Sequence, residues 1–437
     1  AGLLGSGLGS LTILLDEPSR GLHPAEVQAL LEALQALRDQ GNTVVVVEHD
    51  PVLMRAADHL LDMGPGAGTA GGRLVASGTP DEVSRADTIT GVWLRGERAS
   101  VIPAHRRPPA GWTTIRNARG NNLKGIDVSI PLGVLVGVCG VSGSGKSTLI
   151  VDTLARVVAP IKHTTSMAQE TLEPGAHDGI ENAPARAIVI DQARAGVVSP
   201  ARYLGLEGPL RALYADGEDA RALGLSEADL GEPCSACKGR GTMTLDMGFL
   251  PDVHEPCETC GGTGYRPEAW DVRLRGVPLP VINRMTLDEV AAMFPDEPGL
   301  ALPLQAAHDV GLGYLVWRQP GYALSGGEAQ QLKIASELCR RAAPSTLYIL
   351  DEPTLGQHLE DVARLVDVLH RLVDAGHSVL VVEHHPHLLA ACDWLIELGP
   401  AGGPDGGYLL ASGTPEALAA GTTPTAPWLA AAIKRGE

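Results

Sequence analysis

Two groups of residues in this chain have the types and spacing that chemistry demands. The first is Gly140-Val-Ser142-Gly143-Ser144-Gly145-Lys146-Ser147, which fits the phosphate-loop pattern G-x-x-x-x-G-K-[ST]. Glycines let such a backbone wrap round a phosphate chain with its amides pointing inward. Lys146 adds positive charge for the β- and γ-phosphates, the Ser147 hydroxyl can ligate Mg²⁺, and a helix opening at Thr148 adds its partial positive charge. The second group is Cys234-Ser-Ala-Cys237 and Cys257-Glu-Thr-Cys260, two C-x-x-C pairs separated by nineteen residues (238 to 256). That spacing suits a four-thiolate tetrahedral Zn²⁺ site. Each pair runs on into alternate glycines, Gly239 and Gly241, then Gly262 and Gly264, so the loops can fold tightly and aim backbone amides at the sulfurs. Two loops of free thiols are the plainer alternative, and nothing nearby has the βαβ pattern of a redox motif. Cys139, Cys339 and Cys392 sit in apolar contexts and are expected in the core.

These residues need elements to hold them. The apolar run Val134 to Val138 predicts a buried strand entering the phosphate loop, with Leu149, Ile150 and Leu154 on the helix after it. Leu347-Tyr-Ile-Leu350 predicts a second buried strand, ending in Asp351-Glu352-Pro353. Val379 to Val382 predicts a third, ending in Glu383-His384. Asp351 is then placed to hold the Mg²⁺ water shell, Glu352 to orient or deprotonate an attacking water, and His384 to meet the γ-phosphate. Leu324-Ser325-Gly326-Gly327-Glu328 precedes an apolar helix, where its amides form an anion site able to close on a phosphate presented by another domain.

Part of this text occurs twice. Thr12 to Leu15 leads into Asp16-Glu17-Pro18, a helix Ala25–Gln40 has Val27, Leu30, Leu31, Leu34 and Leu37 on one face, and Thr43 to Val47 ends in Glu48-His49. Asp16 and Asp351, His49 and His384, and Ser77 and Ser412 are each 335 positions apart (351−16, 384−49, 412−77). The repeat runs without a gap for some 65 residues and implies two homologous domains with parallel, doubly covered sheets. Between them, 96–112 is rich in proline and arginine and reads as a linker.

Composition limits the partners. The net charge is −18, so no global basic field advertises nucleic acid or an anionic membrane. No apolar run approaches a membrane span, and seven cysteines with two C-x-x-C pairs suit a reducing cytoplasm. The chain opens on Ala1 inside what reads as an interrupted element, which suggests a fragment or a truncated gene.

Phosphate loop, Leu-Ser-Gly-Gly-Glu run, Asp-Glu-Pro strand end and histidine together resemble the ABC-type ATPases. In that family a glutamine serves the Mg²⁺ and water side, and Gln192 of Ile188-Val-Ile-Asp-Gln192 matches it. With a zinc module inserted before the Leu-Ser-Gly-Gly-Glu run, the chain resembles more narrowly the UvrA family, the DNA-damage-recognition subunit of the bacterial excision nuclease. Gly120-Asn-Asn-Leu-Lys124, Phe249-Leu-Pro-Asp252, Ala56-Ala-Asp-His59 and Gly64-Pro-Gly-Ala-Gly68 carry the same likeness.

The resemblance implies an α/β fold of two ABC-type domains. It implies 1–95 as the tail of the first, and 113–437 as the second, with an insertion over 151–320 that holds the zinc module at 231–267. It implies ATP, Mg²⁺ and Zn²⁺ as cofactors, and damaged double-stranded DNA, UvrB and a second copy of the chain as partners. Sites of this family are composite, so Lys146, Asp351, Glu352 and His384 need a signature run from another domain, as Asp16, Glu17 and His49 would need Ser325 to Glu328.

Some segments depart from the family pattern. Ala193 to Ser199 replaces its Ser-Pro-Ile-Gly-Arg-Thr-Pro-Arg-Ser-Asn run, and Gly356-Gln357-His358 stands opposite Gly21-Leu22-His23. Cys234 to Arg266 has three basic and four acidic residues and is no basic patch. A UvrA-like paralogue working without UvrB, in drug resistance or export, is the second reading. A transport or ribosomal ABC ATPase, and a zinc module of the Hsp40 kind, are the others.

Overall fold

A computed structural model describes residues 9–68, 71–97, 102–159, 173–191, 193, 196, 198–245, 248, 253–340 and 345–436. Gln192 and the run Phe249 to Asp252 lie outside the described residues. The chain divides into two compact units, 1–192 with 341–437, and 193–340. Residues 151–192, read from sequence as part of the insertion, thus group with the phosphate loop. The signature helix groups with the zinc module.

In the first unit, β1 (Thr12–Asp16) and β2 (Thr43–Val47) pair in parallel and are joined by the helix Pro24–Asp39. Pro24 opens that helix where its missing N–H costs nothing, His23 caps it, and Gly41 follows its end. The predicted face is only partly covered: Val27, Leu34 and Leu37 are buried, while Leu30 and Leu31 are half-buried. β3 (Leu60–Gly64) and β4 (Arg73–Gly78) form a separate antiparallel pair. The linker is anchored: Arg106 donates to the carbonyls of Ala390 and Cys392 (both 2.8 Å), and Arg107 pairs with the buried Asp393 at 3.1 Å.

β5 (Gly111–Ala118), β6 (Ile126–Leu132) and β8 (Gly179–Glu181) make an antiparallel sheet beside the phosphate-loop strand β7 (Leu135–Cys139). The helix after the loop, Thr148–Ala155, is wound with i→i+5 bonds rather than as an ordinary α-helix. β9 (Ala187–Ile190) completes this part.

In the second unit, β10 (Thr242–Leu245) and β11 (Val253–Pro256) form a hairpin between the cysteine pairs, and β12 (Arg273–Leu274) and β13 (Val277–Pro278) a smaller one. Short helices surround them, ending with Gly326–Cys339.

The chain then returns to the first unit as β14 (Leu347–Asp351), β15 (Ser378–Val382), β16 (Trp394–Gly399) and β17 (Tyr408–Gly413). One six-stranded sheet results, in the order β17-β16-β7-β15-β14-β9, parallel except for β17. Ile349, Leu380, Val382, Ile396 and Leu398 pack on one side of it with Leu149, Ile150, Leu154, Ile115 and Ile130. The repeat is exact in register: β1 to β4 match β14 to β17 at 335, including a slip between Asp62 and Met63 that returns between Glu397 and Leu398. One difference decides the architecture. In the second repeat β7 lies between β15 and β16, whereas β2 and β3 belong to separate sheets. Among the described residues no helix is long and apolar enough to cross a membrane.

Candidate active site and metal centre

The phosphate loop leaves β7 at Gly140, whose φ is 127° and whose Cβ, had it one, would stand 1.9 Å from the Leu398 carbonyl oxygen. No other residue fits there. The run Gly120 to Lys124 clamps the loop from outside. Asn121 donates to Thr148 Oγ1 at 3.0 Å, and Asn122 to the carbonyls of Gly143 and Gly403 at 2.9 and 3.2 Å. Lys146 is buried with its Nζ donating to the carbonyls of Gly140 and Val141, both at 2.9 Å. Burial pulls its pKa down to about 8, against the attraction of Glu352, Glu26 and Asp351. Ser144 is buried and Ser147 exposed.

Asp351 ends β14 and Glu352 follows with φ 44°, a turn that points it away from the strand. Burial, then the charges of Glu352 and Glu383, push the Asp351 carboxyl up to about 6. Glu352 moves the other way, held below the usual carboxylate range by the hydrogen bond from His384, whose Nε2 lies 3.5 Å from Glu352 Oε1. Two adjacent carboxyls thus take different protonation behaviour. Glu383 fixes the histidine: its buried carboxylate accepts the amides of Thr354 (3.0 Å), His384 and His385 (2.9 Å) and the Thr354 hydroxyl.

The first repeat has the same geometry. Glu48 accepts the amides of Ser19 and His49 (both 2.8 Å) and Asp50 (3.1 Å), His49 Nε2 lies 3.6 Å from Glu17 Oε1, and Glu17 has φ 44°. Both repeats face one cavity of about 120 Å³ lined by Glu17, His49, Glu352 and His384. Gly356 is apposed to Glu17 and Gly21 to Glu352, so each repeat puts a glycine over the other's glutamate. Asp16, by contrast, is exposed.

Sequence reasoning missed two neighbours of the phosphate loop. Glu26, on the helix of the first repeat, accepts the amide of Ser142 at 3.4 Å. His23 is buried at 3.1 Å from Thr425 Oγ1, with its ring 6.2 Å from that of His384. Burial first, then the charges of His384 and Lys146, drop its pKa to about 4. The only advance signal was the capping pattern of His23 and Glu26. The scaffolding glutamates were more legible, since Glu48 and Glu383 immediately precede the two histidines.

In the second unit Ser325 caps the helix Gly326–Cys339, its hydroxyl accepting the Glu328 amide at 3.1 Å while Glu328 accepts the Ser325 amide at 2.6 Å. Tyr314 donates to the other Glu328 oxygen at 2.6 Å. The same unit holds the four cysteines. All are buried, with their sulfurs within 4.8 Å of one another. Cys234 and Cys257 are 4.0 Å apart, and Cys237 and Cys260 3.8 Å. Zn–S bonds of about 2.3 Å in a tetrahedron give edges of about 3.8 Å, so the quartet fits zinc, and these separations rule out disulfides. The glycine spacing acts as foreseen: Gly241 donates to Cys237 Sγ at 3.3 Å and Gly264 to Cys260 Sγ at 3.2 Å. Cys139 and Cys392 are buried and Cys339 partly so.

No family model matches the chain. Over 98% of its length it is 45% identical to UvrABC system protein A of Thermus thermophilus, matching 46% of that protein. The chain belongs to the UvrA family. The crystal structure of UvrA2 from Deinococcus radiodurans superposes with a TM-score of 0.87 at 41% identity, covering 99% of this chain and 53% of that one. Ribosome-bound archaeal ABCE1, seen with Pelota, shares the fold alone, with a TM-score of 0.51 at 16% identity over 96% of this chain and 55% of its own. The chain spans about half the length of the curated UvrA relatives it matches.

Proposed function

We propose that this chain binds Mg²⁺·ATP at the phosphate loop and hydrolyses it as part of a UvrA-type DNA-damage-recognition ATPase. The observation that carries the reading is the assembly, in one unit, of buried Lys146, Asp351 at the end of β14, and Glu352 held ionised by His384. Lys146, Ser147 and the amides of Gly143, Ser144 and Gly145 would hold the phosphates. Ser147, Asp351 and Gln192 would serve the Mg²⁺ side, and Glu352 would take the proton of the attacking water with His384 orienting it. Bound Mg²⁺ would neutralise the developing phosphate charge.

Ser325 to Glu328 would close on the phosphate loop of a second copy, and turnover would then rise more than linearly with protein. Zn²⁺ on the cysteine quartet would be structural. Damaged duplex DNA is the partner we infer from the family, UvrB the second, and the cytoplasm the setting.

Nucleotide titration and phosphate release test this. Lys146→Ala should abolish ATP binding. Glu352→Gln should keep binding and lower turnover by about 10²-fold or more. Turnover by Glu352→Gln at the unaltered rate would refute the assignment of the base.

A further inference from the structure

Glu26 belongs to the first repeat, yet its side chain ends in the phosphate loop of the second. Its Oε2 accepts two backbone amides, that of His23 at 2.7 Å and that of Ser142 at 3.4 Å. The first bond closes the capping box of the helix Pro24–Asp39. His23 itself is locked: it is buried, its Nδ1 accepts the Ala25 amide at 3.2 Å, and its Nε2 lies 3.1 Å from Thr425 Oγ1. The helix start is therefore fixed, and the carboxylate with it. Shifted by 335, Glu26 becomes Asp361, which lies 3.8 Å from the Arg364 guanidinium. Glu26 has no arginine or lysine at ion-pair distance among the described residues, and both its hydrogen bonds are to neutral amides.

A carboxylate on a phosphate-loop amide stands where the loop would receive a phosphate oxygen. Lysine in this motif reaches the β- and γ-phosphates, and Glu26 attracts Lys146, so this anion sits toward the γ end of the loop. The helix end, at Ser147 and Thr148, is left to the inner phosphates. ADP therefore meets the loop with little interference from Glu26. The γ-phosphate of ATP meets a fixed negative charge that already holds the Ser142 amide. At an effective dielectric between those of protein and water, one such charge pair is worth about tenfold in affinity.

We propose that Glu26 sets the preference of the phosphate loop between triphosphate and diphosphate: its carboxylate weakens ATP relative to ADP, and ATP seats its γ-phosphate only by displacing Glu26 from the Ser142 amide. Such a role rests on the nucleotide reading of Lys146 and its loop. It makes the first repeat a regulator of the second, because the contact between Glu26 and Ser142 opens when a triphosphate enters and re-forms once the γ-phosphate has gone.

The test is calorimetric titration of the chain and of Glu26→Gln with Mg²⁺ present, using ADP and the imido analogue of ATP, which carries the γ-phosphate and resists hydrolysis. Glutamine keeps the capping box, because its carbonyl oxygen accepts the same amide without the charge. The ratio of the two affinities should shift about tenfold toward the analogue. Glu26→Ala, which removes charge and cap together, should shift the ratio in the same direction even where it lowers both affinities. A ratio unchanged in both variants, or shifted toward ADP, would overturn the proposal and leave the nucleotide site standing. Binding of neither nucleotide by the parent chain would overturn both.

Discussion

Asp351→Asn should stabilise the first unit while disabling its chemistry, and the size of the gain follows from the site. The Asp351 carboxyl is shifted from 3.8 to about 6, mainly by burial and secondarily by Glu352 and Glu383, with Lys146 opposing. At about 1.4 kcal/mol for each tenfold, ionising it in the folded state costs about 3 kcal/mol. Because the folded-state value is raised, the penalty is absent below pH 3.8, grows as pH rises toward about 6, and is complete above that. Asparagine carries no charge and escapes it. The variant should therefore gain about 3 kcal/mol at pH 7.5 and about half of that at pH 5. Hydrogen exchange of the most protected amides of β7, β14 and β15 reads the stability of this unit without interference from the other. With saturating Mg²⁺·ATP the order should reverse, since only the parent chain gains binding free energy. A variant no more stable than the parent at pH 7.5, or a gain identical at the two pH values, would refute the argument that Asp351 is held ionised at a cost.

Nucleotide affinity should peak between about pH 6 and 8, where Asp351 is ionised and Lys146 still protonated, and fall on both sides in a calorimetric titration. Cys257→Ser should release the zinc and unfold the cysteine loops while leaving exchange protection in β14 and β15 unchanged. Metal analysis finding no zinc in the parent chain purified without chelators would contradict this. Gly140→Ala forces a Cβ onto the Leu398 carbonyl and should cost about 3 kcal/mol or more and abolish ATP binding, checked by thermal unfolding and nucleotide titration.

Local patterns were legible and assembled ones were not. Strands β1, β2, β14 and β15 lie within a residue or two of their predicted ranges, because continuous apolar runs ending in Asp-Glu or Glu-His have few other solutions. The cysteine quartet announced itself through ligand spacing. Glu26 reaching the Ser142 amide was hidden, because 116 residues separate them and only the packing of one repeat on the other joins them. No composition break sets 151–192 apart from the insertion that follows, yet β9 supplies the edge strand of the main sheet.

The unequal sheets of the two repeats bear on how the protein behaves as a colloid. Leu14, Val45, Val47, Leu61 and Met63 are exposed, Leu14 by 73% and Met63 by 62%. Shifted by 335, they become Ile349, Leu380, Val382, Ile396 and Leu398, all in the main core beneath the helix Thr148–Ala155. These five side chains remain apolar where water now meets them, on strands with open hydrogen-bonding edges. Such side chains favour association between copies of the chain even at −18 net charge, and sulfate, which strengthens apolar association and screens the repulsion, should lower its solubility.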